Sequence, residues 1–178
     1  MKEKKFLVVV DMQKDFIDGS LGTQEAQEMT PDAVKRIREC KAEGYTLIDT
    51  LDTHEENYMD TAEGKKLPVP HCIRGTAGWK LDGRIREALG ECVLVEKPTF
   101  GSVRLPEIIK GMLGPDETPV IEALGLCTDI CVVSNVLLLK AHFPEAKIAV
   151  NPRCCAGVTP AKHQAALETM ASCQIDLL

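Results

Sequence analysis

Short β-prone runs recur along this chain, largely apolar and with no polar/apolar alternation, and a stretch of helical spacing separates each from the next. The runs are Phe6–Val10, Thr46–Leu51, Cys92–Glu96, Pro119–Leu124, Lys147–Val150 and Ile175–Leu178. Continuously apolar strands are strands buried on both faces, as in a parallel sheet covered by helices. Thr30-Pro31 reads as N-cap plus first-turn proline of a helix reaching about Ala42, which Gly44 ends. Helical spacing follows at Leu81–Leu89, Leu105–Leu113 and Asp129–His142, and Thr159-Pro160 opens a last helix to about Ala171. Residues 53–78 read as a long polar connection with prolines at 68 and 70, a length that often carries function. The alternation predicts an α/β chain: a mostly parallel six-stranded sheet with helices on both faces, in one domain spanning residues 1–178.

Composition narrows the function. Net charge is −6, and no long basic run occurs, so nucleic acid and anionic membrane are excluded as expected partners. The apolar run Phe6–Val10 is too short for a signal-peptide core or a membrane span, which predicts a cytoplasmic protein. The eight cysteines then read as reduced thiols, and Cys127-x3-Cys131 lacks zinc-ribbon spacing.

Ligand sites in parallel sheets lie at the carboxyl ends of the strands. Asp11 follows the first predicted strand, Asp52-Thr53-His54 ends the second, Lys97 follows the third, and Gly125–Cys131 follows the fourth. Each residue alone has a commoner role: a loop carboxylate, a solvated lysine, a buried structural thiol. Their shared position at one rim argues for chemistry. Lys97 precedes Pro98, which keeps it extended at the strand end. With Thr128 as N-cap, Cys131 is the third helical residue, where the helix dipole favours a thiolate. An unperturbed thiol is only about 3% ionised at pH 7; the dipole and Lys97 are expected to raise that fraction. Asp52, His54 and His71 form a second constellation suited to zinc, with iron or manganese as the alternatives.

These motifs, in this order, resemble the isochorismatase-like cysteine hydrolases, and among them the nicotinamidases and related amidohydrolases. Val8-Val9-Val10-Asp11-Met12-Gln13-Lys14-Asp15-Phe16 is similar to the opening strand with its catalytic aspartate. Glu96-Lys97-Pro98 stands at the catalytic lysine, and Gly125-Leu126-Cys127-Thr128-Asp129-Ile130-Cys131-Val132 resembles the nucleophile segment. Asp52-Thr53-His54 and His71 through Trp79 resemble the metal-ligand segments. The resemblance implies a three-layer α/β/α sandwich, a non-proline cis peptide at Leu126–Cys127, and an oxyanion hole of the Cys127 and Cys131 backbone N–H groups. It implies a divalent metal at Asp52, His54 and His71, a ring-binding role for Phe16, and a homo-oligomer, dimer or tetramer. The sequence departs from nicotinamidases in having Pro68 where they carry a ring-stacking Trp and Ile130 where relatives carry Tyr. A further metal ligand after His54 is expected among Glu55, Glu56, Asn57 and Asp60, and further pocket aromatics among Tyr58, Trp79 and Phe100.

The expected activity is hydrolysis of a small amide-type C–N bond through a thioester on Cys131, with Asp11 and Lys97 as partners, nicotinamide to nicotinate plus ammonia being the leading specific substrate. The metal would orient water or hold a ring nitrogen. Alternatives are a carbamoyl or ureido amidohydrolase, an isochorismatase-type vinyl-ether hydrolase, which needs no thiol, and a non-catalytic binding protein on the same fold. A flavodoxin-like nucleotide binder is disfavoured, because Met12-Gln13-Lys14 stands where a Gly-rich phosphate loop would be.

Overall fold

The computed structural model describes residues 2–178. Six strands form one sheet: β1 (Lys2–Val10), β2 (Thr46–Asp52), β3 (Val93–Lys97), β4 (Glu117–Leu126), β5 (Lys147–Ala156) and β6 (Asp176–Leu177). Their order is β3-β2-β1-β4-β5-β6, and every pairing is parallel. The helices are α1 (Lys14–Ile17), α2 (Gln24–Ala42), α3 (Ala62–Lys66), α4 (Gly83–Leu89), α5 (Arg104–Met112), α6 (Val133–His142) and α7 (Pro160–Ser172). The chain steps outward from β1 to β3, returns through α5 to β4, and steps outward again to β6. Right-handed crossovers then place α2 and α4 on one face and α6 and α7 on the other, which gives the three expected layers. Central β1 explains the apolar run: Phe6 through Val10 are all fully buried.

This topology puts a switch point between β1 and β4, the place where parallel sheets open a crevice. Register brings the rim together. Val10 lies level with Thr50 of β2 and Gly125 of β4, and Asp52 lies level with Lys97. Gly125 is required there: its φ is +129°, and a Cβ would stand 2.2 Å from the Val10 carbonyl oxygen.

Two expectations about local structure fail. The second helix opens at Thr23, whose side chain accepts from Ala26 N, rather than at Thr30. Pro31 lies inside α2, where it costs one backbone hydrogen bond. Its partner carbonyl would be that of Gln27, an exposed residue that water reaches, and Thr30 Oγ1 turns back to the Ala26 carbonyl at 2.7 Å. Burial at Ala26, Met29, Ala33, Ile37 and Cys40 carries the apolar stripe through the proline. Nor is the 53–78 connection without regular structure. It holds a 3₁₀ turn at Tyr58–Asp60 and α3, which Thr61 caps by accepting from Gly64 N.

One strand residue is left uncompensated. Asp49 is fully buried in β2, and neither carboxylate oxygen has a hydrogen-bond partner. Burial first, then the neighbouring Asp11, pushes its carboxyl well above the ordinary range. The folded protein therefore holds a proton that the unfolded chain releases above about pH 4. Stability falls as pH rises from that point toward the folded value. Asp49→Val, a better strand former with no polar atom, is expected to add about 1–3 kcal/mol at pH 7 and to flatten that fall. Urea unfolding at pH 5 and pH 8 checks both; a variant less stable than wild type at pH 8 contradicts the reading.

Candidate active site

Asp11 follows directly on β1. Its φ of +49° is a left-handed backbone, unusual outside glycine though aspartate is among the residues that tolerate it. Its N–H donates to the Thr50 carbonyl (3.1 Å), and Thr50 Oγ1 donates to Asp11 Oδ1 (2.6 Å). Asp11 Oδ2 lies 2.6 Å from Lys97 Nζ. Lys97 is 1% exposed, and its ammonium also lies 3.4 Å from Cys131 Sγ and 3.7 Å from Asp52 Oδ1, and donates to the Thr99 carbonyl at 3.1 Å. The structure thus brings together Asp11, Lys97 and Cys131 from three distant parts of the sequence. Burial pushes the Asp11 carboxyl above its ordinary value, against the pull of Lys97. Burial opposes the charge on Lys97, yet Asp11, Cys131 and Asp52 together carry its pKa upward.

The nucleophile turn differs from the expected helix start. Residues Thr128–Val132 form a π turn ahead of α6, with Cys127 in the cap position. The Cys127 carbonyl accepts from Ile130 and Val132 N–H, both at 3.1 Å, and passes over Cys131. Thr128 does not cap; its hydroxyl pairs with His163 Nδ1 at 2.7 Å. The Leu126–Cys127 peptide is cis, as the resemblance implied. The expected rise in the thiolate fraction of Cys131 is corrected as well. Burial, and then the Asp11 carboxylate, push the Cys131 thiol well above its ordinary pKa despite Lys97. Ionising that thiol calls for a base, and Asp11 stands beside the same ammonium.

Asp52, His54 and His71 form the second cluster. Their ligand atoms all lie within 4.8 Å of one another. Asp52 Oδ2 is 3.1 Å from His54 Nε2 and 3.4 Å from His71 Nε2. A fourth group completes it: Glu63 Oε1 lies 3.6 Å from His54 Nε2 and 3.7 Å from His71 Nε2. Bonds of about 2.0–2.2 Å to a tetrahedral zinc place neighbouring ligand atoms about 3.3–3.6 Å apart, so this donor set fits. The Val69 carbonyl lies 2.8 Å from His71 Nδ1, which fixes the ring with Nε2 toward the cluster. The further acid beside the two imidazoles is Glu63 of α3, folded back by the Thr61 cap, rather than one of Glu55, Glu56, Asn57 and Asp60.

A cavity of about 280 Å³ opens on both clusters, with Asp52, Glu63, His71, Cys127 and Cys131 in its lining. Its volume sits near the lower end of small-molecule pockets, roughly 300–1,000 Å³. Phe16 and Phe100 supply its aromatic walls, and the Phe16 ring lies 5.5 Å from that of His71. The other two expected aromatics are placed elsewhere. Tyr58 is buried behind the cluster, 4.7 Å from the His54 ring and 5.0 Å from His71, and Trp79 donates its indole N–H to Thr53 Oγ1 at 2.9 Å.

Three supporting residues carried no role in the sequence reading. Gln13, fully buried, clamps the end of β2: Nε2 donates to the Asp52 carbonyl and Oε1 accepts from Asp52 N, both at 2.8 Å. Asp15 Oδ2 accepts from Cys72 N (2.8 Å), which anchors the His71 segment. Asn135 joins the two catalytic loops. Its Nδ2 donates to the Cys131 carbonyl (2.8 Å) and its Oδ1 accepts from Ser102 N (2.9 Å). A polar residue one position before the apolar run Val136–Leu139 was the available signal.

Comparison with known proteins agrees with this fold. No curated protein matched the sequence. Among solved structures, the chain is similar to a pyrazinamidase of Pyrococcus horikoshii in complex with zinc, at 24% identity, 98% coverage of both chains and a TM-score of 0.79. A pyrazinamidase/nicotinamidase of Streptococcus mutans gives 22% identity, 98% and 100% coverage, and a TM-score of 0.84. An N-carbamoylsarcosine amidase of Thermoplasma acidophilum gives 26% identity, 98% and 95% coverage, and 0.78. The model of the isochorismatase domain matches residues 5–178, and the chain belongs to that family.

Proposed function

We propose that this single-domain chain is a cysteine-dependent amidohydrolase that cleaves a small C–N bond through a thioester. The observation that carries the reading is the convergence of Asp11, Lys97 and Cys131 on one buried ammonium, at 2.6 and 3.4 Å, beside a cavity of small-molecule size. Asp11 takes the Cys131 thiol proton while Lys97 stabilises the charges that form. The thiolate adds to the amide carbonyl, and the N–H groups of Cys127 and Cys131 hold the oxyanion. Protonated Asp11 returns the proton to the departing amine, and water then cleaves the thioester. Phe16 packs against the substrate body. Nicotinamide is the leading specific substrate, with carbamoyl or ureido compounds as the second reading, since an amidase of that kind shares the fold. The chain has all eight cysteines free, which fits a reducing compartment such as the cytoplasm, and no described helix is long and apolar enough to cross a membrane. A homo-oligomer is the expected assembly.

Ammonia release from a panel of primary amides and ureides tests the reading. Turnover of at least one member is expected, and no release from any would count against it.

Asp52, His54, His71 and Glu63 would hold a divalent ion, zinc foremost and iron or manganese as alternatives. Such an ion supplies Lewis acidity at the cavity wall. Stripping it with a chelator is expected to lower the melting temperature by about 5–10 °C, the effect of losing a ligand present at a hundredfold over its Kd. Added Zn²⁺ should restore it. An unshifted transition with no metal by elemental analysis would remove the metal from the account.

A further inference from the structure

The cavity runs along the strand ends from the β2 side, where Asp52 enters it, to the segment after β5, where Val158 and Lys162 line it. β2 and β5 are three strand spacings apart in the sheet order, about 14 Å. Cys131, following β4, lies between these ends. An amide carbonyl at its sulfur therefore has room for a substituent on the side away from the His54/His71 cluster.

That side has a distinctive electrostatic character. Asp52 and Glu63 face the two imidazoles. Lys162 is the remaining charged lining residue. Its backbone N–H is bonded to Thr159 Oγ1 at 3.2 Å, and among the described residues its Nζ meets no carboxylate and no hydrogen-bond acceptor. The first turn of α7 contains no acid, and Asp129, the carboxylate packed on the preceding segment, accepts from Val158 N at 2.9 Å. Between the two ends the walls are apolar, with Phe16, Leu21, Leu67, Phe100 and Ile130. Such walls give no grip to a charged group, so on the side remote from the cluster an anionic substituent finds its one lining cation at Lys162.

We infer that Lys162 is a specificity-determining residue and that the site takes a small amide bearing an anionic group, a carboxylate in the first place, on the side remote from the His54/His71 cluster. The inference deepens the amidohydrolase reading and rests on it. The ammonium stays partly hydrated at the mouth, so the pairing needs little desolvation; it gives selectivity and steering more than tight binding.

Alkylation of Cys131 tests this without a known substrate. Iodoacetate and iodoacetamide differ by one negative charge, and peptide mass mapping assigns the labelled cysteine. The quantity read is the ratio of the two rates, which cancels any general loosening of the fold. At low salt, Lys162→Met is expected to lower the iodoacetate/iodoacetamide ratio about twofold to threefold and Lys162→Glu about fivefold, the size that removing and reversing one charge within a Debye length produce in a water-like dielectric. Both effects should shrink at 1 M salt. The same order is expected for kcat/KM ratios of substrate pairs differing only in a carboxylate. Labelled Cys131 with an unchanged ratio in all three proteins overturns the inference and leaves the amidohydrolase reading standing. Failure of Cys131 to react with either reagent contradicts the nucleophile itself, and the inference falls with it.

Discussion

Cys131→Ala is expected to abolish turnover while leaving the fold intact. In the proposed mechanism the thiol is the atom that carries the acyl group. Cys127 lines the same cavity, but burial pushes its thiol up to about 12, and among the described residues its sulfur has no hydrogen bond to Lys97, unlike that of Cys131. Loss of a nucleophile from a cooperating set typically costs at least about 10⁴-fold in kcat. The structural effect should be small, on the order of 1 kcal/mol, because one buried sulfur is removed. Steady-state ammonia release beside a urea titration separates the two. Activity within tenfold of wild type would remove Cys131 from the mechanism.

Lys97→Met carries the second large effect, and it acts on stability and rate together. The ammonium is the cation that Asp11 and Asp52 share, at 2.6 and 3.7 Å, and both carboxylates are buried. Methionine fills the space but leaves those charges facing each other. Removing one partner from a buried ionic group costs about 3–5 kcal/mol, a large part of the roughly 5–15 kcal/mol that keeps a domain folded. Part of the loss returns on acidification. Without Lys97, the Asp11 pKa rises further above its unfolded value, so the folded variant binds a proton that the unfolded chain does not. Stability must then fall as pH rises above about 4 and recover as pH falls toward it. The variant's deficit is expected to be larger at pH 8 than at pH 5, with kcat reduced at least about 10³-fold at both. A deficit independent of pH would mean that Asp11 does not depend on Lys97 for its charge.

Fold class was legible because its signal is repeated and local. Five residues in a row at Phe6–Val10 have no polar partner, which a strand buried on both faces requires. Helix starts were less legible. Thr159-Pro160 does open α7, with Thr159 accepting from Lys162 N, whereas Thr30-Pro31, the same dipeptide, lies mid-helix. Tertiary burial of the α2 stripe outweighed the lost hydrogen bond, and no local pattern reports that balance. The candidate catalytic residues were legible from their position at strand ends. Glu63 was not, since Glu63-Gly64-Lys65-Lys66 reads as solvated surface until Thr61 folds α3 against His54 and His71. The direction of the Cys131 pKa shift was not legible for a physical reason: a dipole argument treats the helix end as exposed, and here burial dominates.

The direct test of the account is the mass of Cys131 during turnover. Wild-type protein mixed with excess of an amide it hydrolyses, quenched in acid within the first turnovers and digested, should show the Cys131 peptide heavier by the acyl group. The adduct should be absent in Cys131→Ala and should disappear as substrate is exhausted. Hydrolysis at the wild-type rate with Cys131 unmodified at every time point, and the acyl group found on another residue, would contradict the account.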